Sequence, residues 1–525
     1  MPLLDLQPRH RRDRDLRTGG TVLAATAADG RRRRWPARRR KLLRSRRPVV
    51  VGRPSRSTDM STGPIPDVVR FLDERSASAP LLRKGLRYLF PDHWSFLLGE
   101  VALYAFMVLV ATGIYLTLFF DPSLGHTTYH GVYAPLRGME MSEAYRSAID
   151  ISFKYKAGLL IRQTHHWAAD VFVASLVLHL LRVFFTGAFR KPRDLTWLIG
   201  VTLLFTTLLE GYLGYSMVDD LLSGIGLAIG YGVALSLPVI GGPLALAIWG
   251  APFPGRHEFE SRMYIGHVLL LPLLLGTLIA VHLGLVAARH HAQFRRDRRH
   301  TNRRIVGVPM FPGQAPRSLS LLFAVAALLF LLGGLVQINP IWQWGPFEPW
   351  LGTNGAQPDW YLGWLIGALR LMPSFDVTIG HWTLIPNPFW GGALFPLVVV
   401  GVLGAFPWIE RRFTGDRGVH NLADRPRDAP NRTAFGVAFL TWVFLIFVFG
   451  SADRIFVLLG LSYDTQLYIF RIGIWVIPLA LFVLTRRLCR GRVAAEGIDA
   501  EQQQAEHEAE EHARSLTAAR AGQAT

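Results

Sequence analysis

The 525-residue chain is half hydrophobic by count, 12% aromatic and positive in mean hydropathy, which excludes an ordinary soluble protein and indicates a polytopic membrane protein. Its formal charge of +19 is concentrated in residues 1–59, so the transmembrane body is only mildly basic. The single cysteine, Cys489, excludes an internal disulfide, a Cys-ligated cluster and a covalent CxxCH haem site; any such centre belongs to a partner.

In chain order, the first element is the run RRRRWPARRRKLLRSRR at 31–47. Anionic lipid or nucleic acid would attract it, but it lacks aromatic interleaving, a periodic apolar face and a signal-peptide core. Residues 1–64 read as a disordered basic leader with no nucleic-acid role, and Met60 is an alternative translation start. Apolar windows of about 20 residues, each long enough to cross a bilayer, follow at 95–120, 158–185, 195–215, 263–288, 318–338, 389–408, 433–452 and 466–485. Residues 491–525 form a polar tail.

Basic residues cluster in alternate connections: at Arg190, Lys191 and Arg193, at 289–304, at 411–432, and at Arg486 to Arg492. The positive-inside rule then makes both termini cytoplasmic. A ninth span at 224–250 would carry the 289–304 arginines to the outside, so that stretch reads as short helices on the outer face. PDWYLGWLIGALRLM at 358–372, stopped by Pro373, is also too short to cross.

The second span, RQTHHWAADVFVASLVLHLLR at 162–182, holds His165 and His179. Positions 14 apart return to within about 40° of one helix face and lie about 21 Å apart along the axis. The fourth span holds His267 and His282, 15 apart, hence about 60° and about 22 Å. Both spans run inward, which pairs His165 with His267 near the outer face and His179 with His282 near the inner face. Two facing neutral imidazoles are what a bis-histidine haem iron needs, and two such levels make a transmembrane electron path. Gly99 and Gly113 in the first span, and Gly200 and Gly214 in the third, repeat the 14-residue interval and leave room for a flat ring; ordinary close packing of membrane helices is the alternative. Arg162 and Arg182 flank the two levels, placed either for haem propionates or for interfacial snorkelling. His166 points about 100° away from His165 and is not expected to be a ligand. Without haem, the same histidines suit a proton or metal transporter; with haem, the alternative is a two-haem anchor serving a dehydrogenase.

The sequence resembles cytochrome b, the membrane core of cytochrome bc complexes, over essentially residues 65–490. The matching motifs are FPDHWSFLLGE (90–100), the histidine span running into RVFFTGAFRKPRDLTW, GYLGYSMVDDLLSG (211–224), the second histidine span and QPDWYLG (357–363). Unbroken continuation through eight spans is similar to the actinobacterial-type menaquinol:cytochrome c oxidoreductase. The resemblance implies an all-α integral membrane fold whose first four helices (65–310) bundle around two b-type haems, followed by a C-terminal membrane domain (311–490). It implies that His165 and His267 hold a low-potential haem b, and His179 and His282 a high-potential one.

PDWY matches the family's outer quinol-oxidation motif, so Asp359 and Tyr361 inherit its proton-accepting and shaping roles; Asp in place of Glu resembles the menaquinol users. Met217-Val218 stands where Leu-Pro is expected, and Asp219 and Asp220 read as surface carboxylates. His291 is the candidate for an inner quinone-reducing site, although with His290 it lies in an arginine-rich loop that otherwise reads as solvated. The implied cycle oxidises quinol outside, sends one electron to a partner and one inward across both haems, and reduces quinone inside, building a proton gradient. The implied partners are a Rieske-type iron-sulfur subunit, a c-type cytochrome, a second copy of the chain, a haem-copper oxidase in a supercomplex, and the lipid of a bacterial plasma membrane.

Overall fold

The computed structural model describes residues 84–523 apart from 257, 296–299, 304, 352–356 and 456, together with Phe71 and Arg75. The basic leader lies outside the described residues, as does part of the 289–304 loop. The chain divides into two units, Met1–Ser76 and Ala77–Thr525, and the second holds everything that follows.

Eight helices among the described residues are long and apolar enough to cross a membrane: Trp94–Thr117, Gly158–Phe185, Asp194–Ser216, Phe259–Arg289, Met310–Leu335, Phe389–Thr414, Pro430–Gly450 and Tyr463–Ala494. The chain is a multi-pass integral membrane protein. We label the elements used below α1 (Leu97–Thr117), α2 (Glu143–Phe153), α3 (Gly158–Phe185), α4 (Asp194–Ser216), α5 (Leu221–Leu235), α6 (Gly241–Trp249), α7 (Phe259–Arg289), α8 (Ala315–Leu335), α9 (Gly363–Leu371), α10 (Phe395–Thr414), α11 (Pro430–Gly450) and α12 (Tyr463–Gln523). The ambiguous 224–250 stretch forms α5 and α6, and 358–372 forms a single turn followed by α9, all shorter than a bilayer crossing. The tail after residue 490 is helical, because α12 runs on unbroken to Gln523.

Lipid offers apolar surface as readily as a neighbouring helix does, so close approach through small residues has to hold the bundle together. Helix α3 is central. Its Ala168 and Phe172 pack against Ala102, Ala105 and Val108 of α1 and against Val325 and Leu329 of α8. Its start is fixed by a tight reversal after α2: Ala157 adopts a left-handed φ of 59°, and a Cβ on Gly158 would strike the Ile151 carbonyl. Elsewhere α9 lies against α11 at Gly363, Gly367 and Gly450, where backbone meets backbone.

Helix α7 contains a wide π-type turn at Gly266–Leu270. Pro272, two residues on, has no N–H to donate, and its ring crowds the carbonyl four residues back, so the ladder relaxes there. Such a turn absorbs one residue. It converts the 15-residue spacing of His267 and His282 into an effective 14, the same interval as His165 and His179.

Candidate functional site

The imidazoles of His165 and His267 face each other with ring centroids 6.4 Å apart and planes at 77°. A metal midway would lie 3.2 Å from each centroid, half of that separation. A ring nitrogen turned to that midpoint would stand close to a metal–imidazole bond length of about 2.0 Å. The far nitrogens are already held: His165 Nδ1 lies 2.9 Å from Thr112 Oγ1, and His267 Nδ1 lies 3.1 Å from both the carbonyl and the Oε1 of Glu210. Hydrogen bonds of this kind fix the tautomer and orient a ligating ring. One face of α3 and the wide turn of α7 thus supply the first pair. At the second level His179 lies against Gly99 and His282 against Gly200. The Nδ1 of His179 is buried with no hydrogen-bond partner.

Each of the four glycines lies against the histidine of its own level. A Cβ built on Gly99 would be 3.3 Å from His179, on Gly113 3.4 Å from His165, and on Gly200 3.4 Å from His282; on Gly214 it would overlap the His267 ring. Arg162 donates Nη2 to the Asn339 carbonyl at 3.1 Å but leaves Nε buried and unpartnered. Arg182 lies over the Phe96 ring at 4.0 Å, with Nε and Nη2 both buried and unpartnered. Snorkelling would put these donors in water; instead a cationic donor awaits an acceptor at each level. Paired rings with a free nitrogen each, bare Cα atoms beside them and orphaned guanidinium N–H groups are a donor set that fits two haem groups.

The same helix serves a second cluster. Relative to His165, His166 lies at about 100°, Asp170 at about 140° and Val173 at about 80°, so the three form a stripe turned well away from the histidine pair. That stripe faces PDWY. His166 Nε2 is 2.6 Å from Asp359 Oδ1, and the Tyr361 hydroxyl donates to Asp359 Oδ2 at 2.9 Å. Tyr361 is 4% exposed, packed among Val173, Val177, Leu208 and Tyr212, and its hydroxyl end crosses α4 at Gly211, where a Cβ would be 2.8 Å away. Burial alone would raise the Asp359 pKa, but the charge and hydrogen bond of His166 and the Tyr361 hydrogen bond hold it below the usual carboxylate value. Burial, and then the Asp359 charge, push the Tyr361 phenol well up. The buried arrangement is therefore a carboxylate held by an imidazole on one oxygen and a phenol on the other.

Asp219 and Asp220 are not surface carboxylates. Asp220 is 1% exposed and caps α5 by accepting from the Leu222 N–H at 3.1 Å. Asp219 adopts a left-handed φ of 56°, and the two acids are sealed by residues 345–347, through Leu221 N–H to the Gly345 carbonyl and Phe347 N–H to the Asp219 carbonyl. Burial raises Asp219 to about 7, with Ser142 opposing and Asp220 adding, and raises Asp220 to about 6. Met217, in place of the expected Leu, is buried with Trp249, Phe259 and Met263, so apolar packing fixes this segment without a proline.

His290 and His291 do not form a solvated loop either. His290 stacks on Tyr88 at 5.0 Å, and His291 lies among Tyr88, Phe90 and Phe96, its Nδ1 3.3 Å from the Tyr88 hydroxyl. Burial first, then Arg182 and other cationic neighbours, lower His291 to about 3, so it is neutral. Arg193 pins the connection by donating to the carbonyls of Arg289, His290 and His420 and to Asn421 Oδ1, over 2.6–3.2 Å. Beside it opens a cavity of about 250 Å³ whose walls include Asp92, His93, Phe96, Phe294 and His300.

Sequence reasoning passed over Asp170, Tyr88 and the part His166 plays. The signal for Asp170 was an acid inside an apolar span, which is rarely without a function. The tyrosine gave no signal, because only tertiary folding brings residue 88 to residue 291.

Comparison with known proteins settles the family. Residues 170–346 match the family described as cytochrome b (N-terminal)/b6/petB. A cytochrome bc1 complex cytochrome b subunit of Streptomyces coelicolor is 44% identical over 424 residues, covering 81% of this chain and 77% of the relative. The chain belongs to the cytochrome b subunits of bc1 complexes. Subunits of the same name from Mycobacterium leprae (45%; 82% and 79% covered) and Corynebacterium diphtheriae (45%; 80% and 77%) agree. A chain of a hyperthermophilic respiratory Complex III shares the fold, with a TM-score of 0.60 at 20% identity, over 81% of this chain and all of that one. This cytochrome b chain is accordingly a membrane subunit of an oxidoreductase complex, and haem b and quinone are the cofactor and substrate classes of its family. Family membership sets aside the transporter and the dehydrogenase anchor.

Proposed function

We propose that this chain is the di-haem electron-transfer core of a menaquinol:cytochrome c oxidoreductase. His165 and His267 hold the low-potential haem b and His179 and His282 the high-potential one, with Arg162 and Arg182 reaching the propionates and Gly99, Gly113, Gly200 and Gly214 giving clearance. When bound, the two haems supply one-electron transfer across the bilayer. The observation that carries this reading is the pair of imidazoles facing each other at 6.4 Å with their outer nitrogens already held.

At the end that the arginine distribution assigns to the outside, Asp359 accepts a proton from quinol while Tyr361 and His166 fix its carboxylate. At the opposite end, neutral His291 and the cavity lined by His93 and Phe294 receive the quinone to be reduced. The two chemistries on opposite faces release protons outside and take them up inside. In this reading residues 65–310 form the di-haem domain and 311–490 the domain carrying PDWY, with both termini cytoplasmic in a bacterial plasma membrane. The chain works as a homodimer with a Rieske-type iron-sulfur subunit and a c-type cytochrome, docked to a haem-copper oxidase.

The test is Asp359→Asn in the purified complex. Quinol oxidation slows by about 10²-fold or more, the usual worth of a positioned acid-base group, while both haem bands remain. Unchanged turnover removes Asp359 from the proton path.

A further inference from the structure

Asp170 has no part in the chemistry described so far. It lies inside α3, 9% exposed, and its Oδ1 is buried without a hydrogen-bond partner. The groups acting on it are Asp359, His166 and, least, the Trp360 side chain. No lysine or arginine among the described residues forms an ion pair with it. A bare carboxyl oxygen at membrane depth is costly unless some donor reaches it.

The neighbouring acid keeps a second lone pair on each oxygen for the quinol proton, although both oxygens are already engaged. Asp359 already receives His166 on Oδ1 at 2.6 Å and the Tyr361 hydroxyl on Oδ2 at 2.9 Å. Asp170 lies four residues after His166, on the same stripe of α3 as Val173, which packs on Tyr361. Consecutive turns of one helix thus stand beside the PDWY segment, and the second turn carries a buried carboxyl oxygen with no partner. A hydroquinone carries two O–H donors. One of them would give Asp170 Oδ1 the donor it lacks.

We propose that Asp170 is a second carboxyl ligand of the outer quinol site, accepting a hydrogen bond from one hydroxyl of the bound hydroquinone. This rests on the PDWY cluster being the quinol-oxidising site. The contact is to a hydroxyl, common to all hydroquinones, so it fixes the orientation of the ring rather than the choice of quinone species.

The experiment is steady-state oxidation of the soluble naphthoquinol menadiol by the purified complex carrying Asp170→Leu, Asp170→Asn, Trp360→Phe or Asp359→Asn. Asp170→Leu raises KM by about tenfold, as loss of one hydrogen bond to a charged acceptor does. Asp170→Asn, which keeps a carbonyl acceptor, raises it by about threefold; Trp360→Phe leaves it within about twofold. Both haem bands persist throughout. A KM for Asp170→Leu within about twofold of wild type overturns the assignment. So does an equal rise in Trp360→Phe, which would make Asp170 a clamp for that indole alone. Should Asp170→Leu lose its haem bands, Asp170→Asn decides: the smaller rise supports the assignment and an unaltered KM overturns it. Normal turnover in Asp359→Asn would instead overturn the quinol site itself, a result distinct from failure at Asp170.

Discussion

Gly214→Ala probes the outer histidine pair through geometry alone. A Cβ at Gly214 would overlap Cε1 of His267 and lie 2.8 Å from its Nε2 and 3.0 Å from its Nδ1, whereas the same atom at Gly200 would stand 3.4 Å from His282, an ordinary contact. To clear the methyl, the His267 ring has to swing, giving up its 3.1 Å contact with Glu210 and turning its free nitrogen away from His165. Overpacking costs about 1–3 kcal/mol and the lost hydrogen bond about 1 kcal/mol. The sum, about 2–4 kcal/mol, weakens the hold on a ligand at that level by about 30- to 1000-fold. Haem extracted from the purified complex, counted per chain as the pyridine adduct, falls from two toward one in Gly214→Ala and stays at two in Gly200→Ala. Full haem in both, or equal loss in both, refutes the reasoning.

Asp219 makes stability depend on pH. Its folded pKa, about 7, lies above the ordinary carboxyl value, so the folded state keeps a proton that the unfolded state releases. Stability is greatest below the ordinary value and declines as pH rises through about 7; melting temperatures from pH 5 to 8 fall in the wild type and flatten in Asp219→Asn, and a parallel fall in both would contradict the assignment. Arg193→Lys replaces a four-bond fork with a point donor and leaves backbone carbonyls unpaired, costing about 2–4 kcal/mol. The expected result is a lower melting temperature together with slowed reoxidation of the inner haem; an unshifted melting temperature would remove Arg193 as the clamp of the inner connection.

The membrane spans and the histidine levels were legible in the sequence because both are periodic: apolar runs have a length set by the bilayer, and a 14-residue interval has a face and a depth. The 15-residue interval in α7 was legible only as a mismatch, since the wide turn that absorbs the extra residue depends on backbone relaxation near Pro272. Asp219 and Asp220 were misread as surface groups because the cover over them, residues 345–347, is distant in sequence. The 290–291 segment was misread as a solvated loop because its charge pattern says nothing of the rings of Tyr88, Phe90 and Phe96, which arrive from the segment before α1. His166 was placed about 100° from His165, but its partner Asp359 is 193 residues on, and no local pattern announces such a pair.

A redox-titrated visible spectrum of the purified subunit, taken beside that of His179→Leu, tests the two-level histidine arrangement most directly. Two b-type components with separated midpoints in the wild type, and loss of one of them in the variant, are the predicted result. A wild type without haem absorption, or a variant that keeps its full pigment, would contradict it.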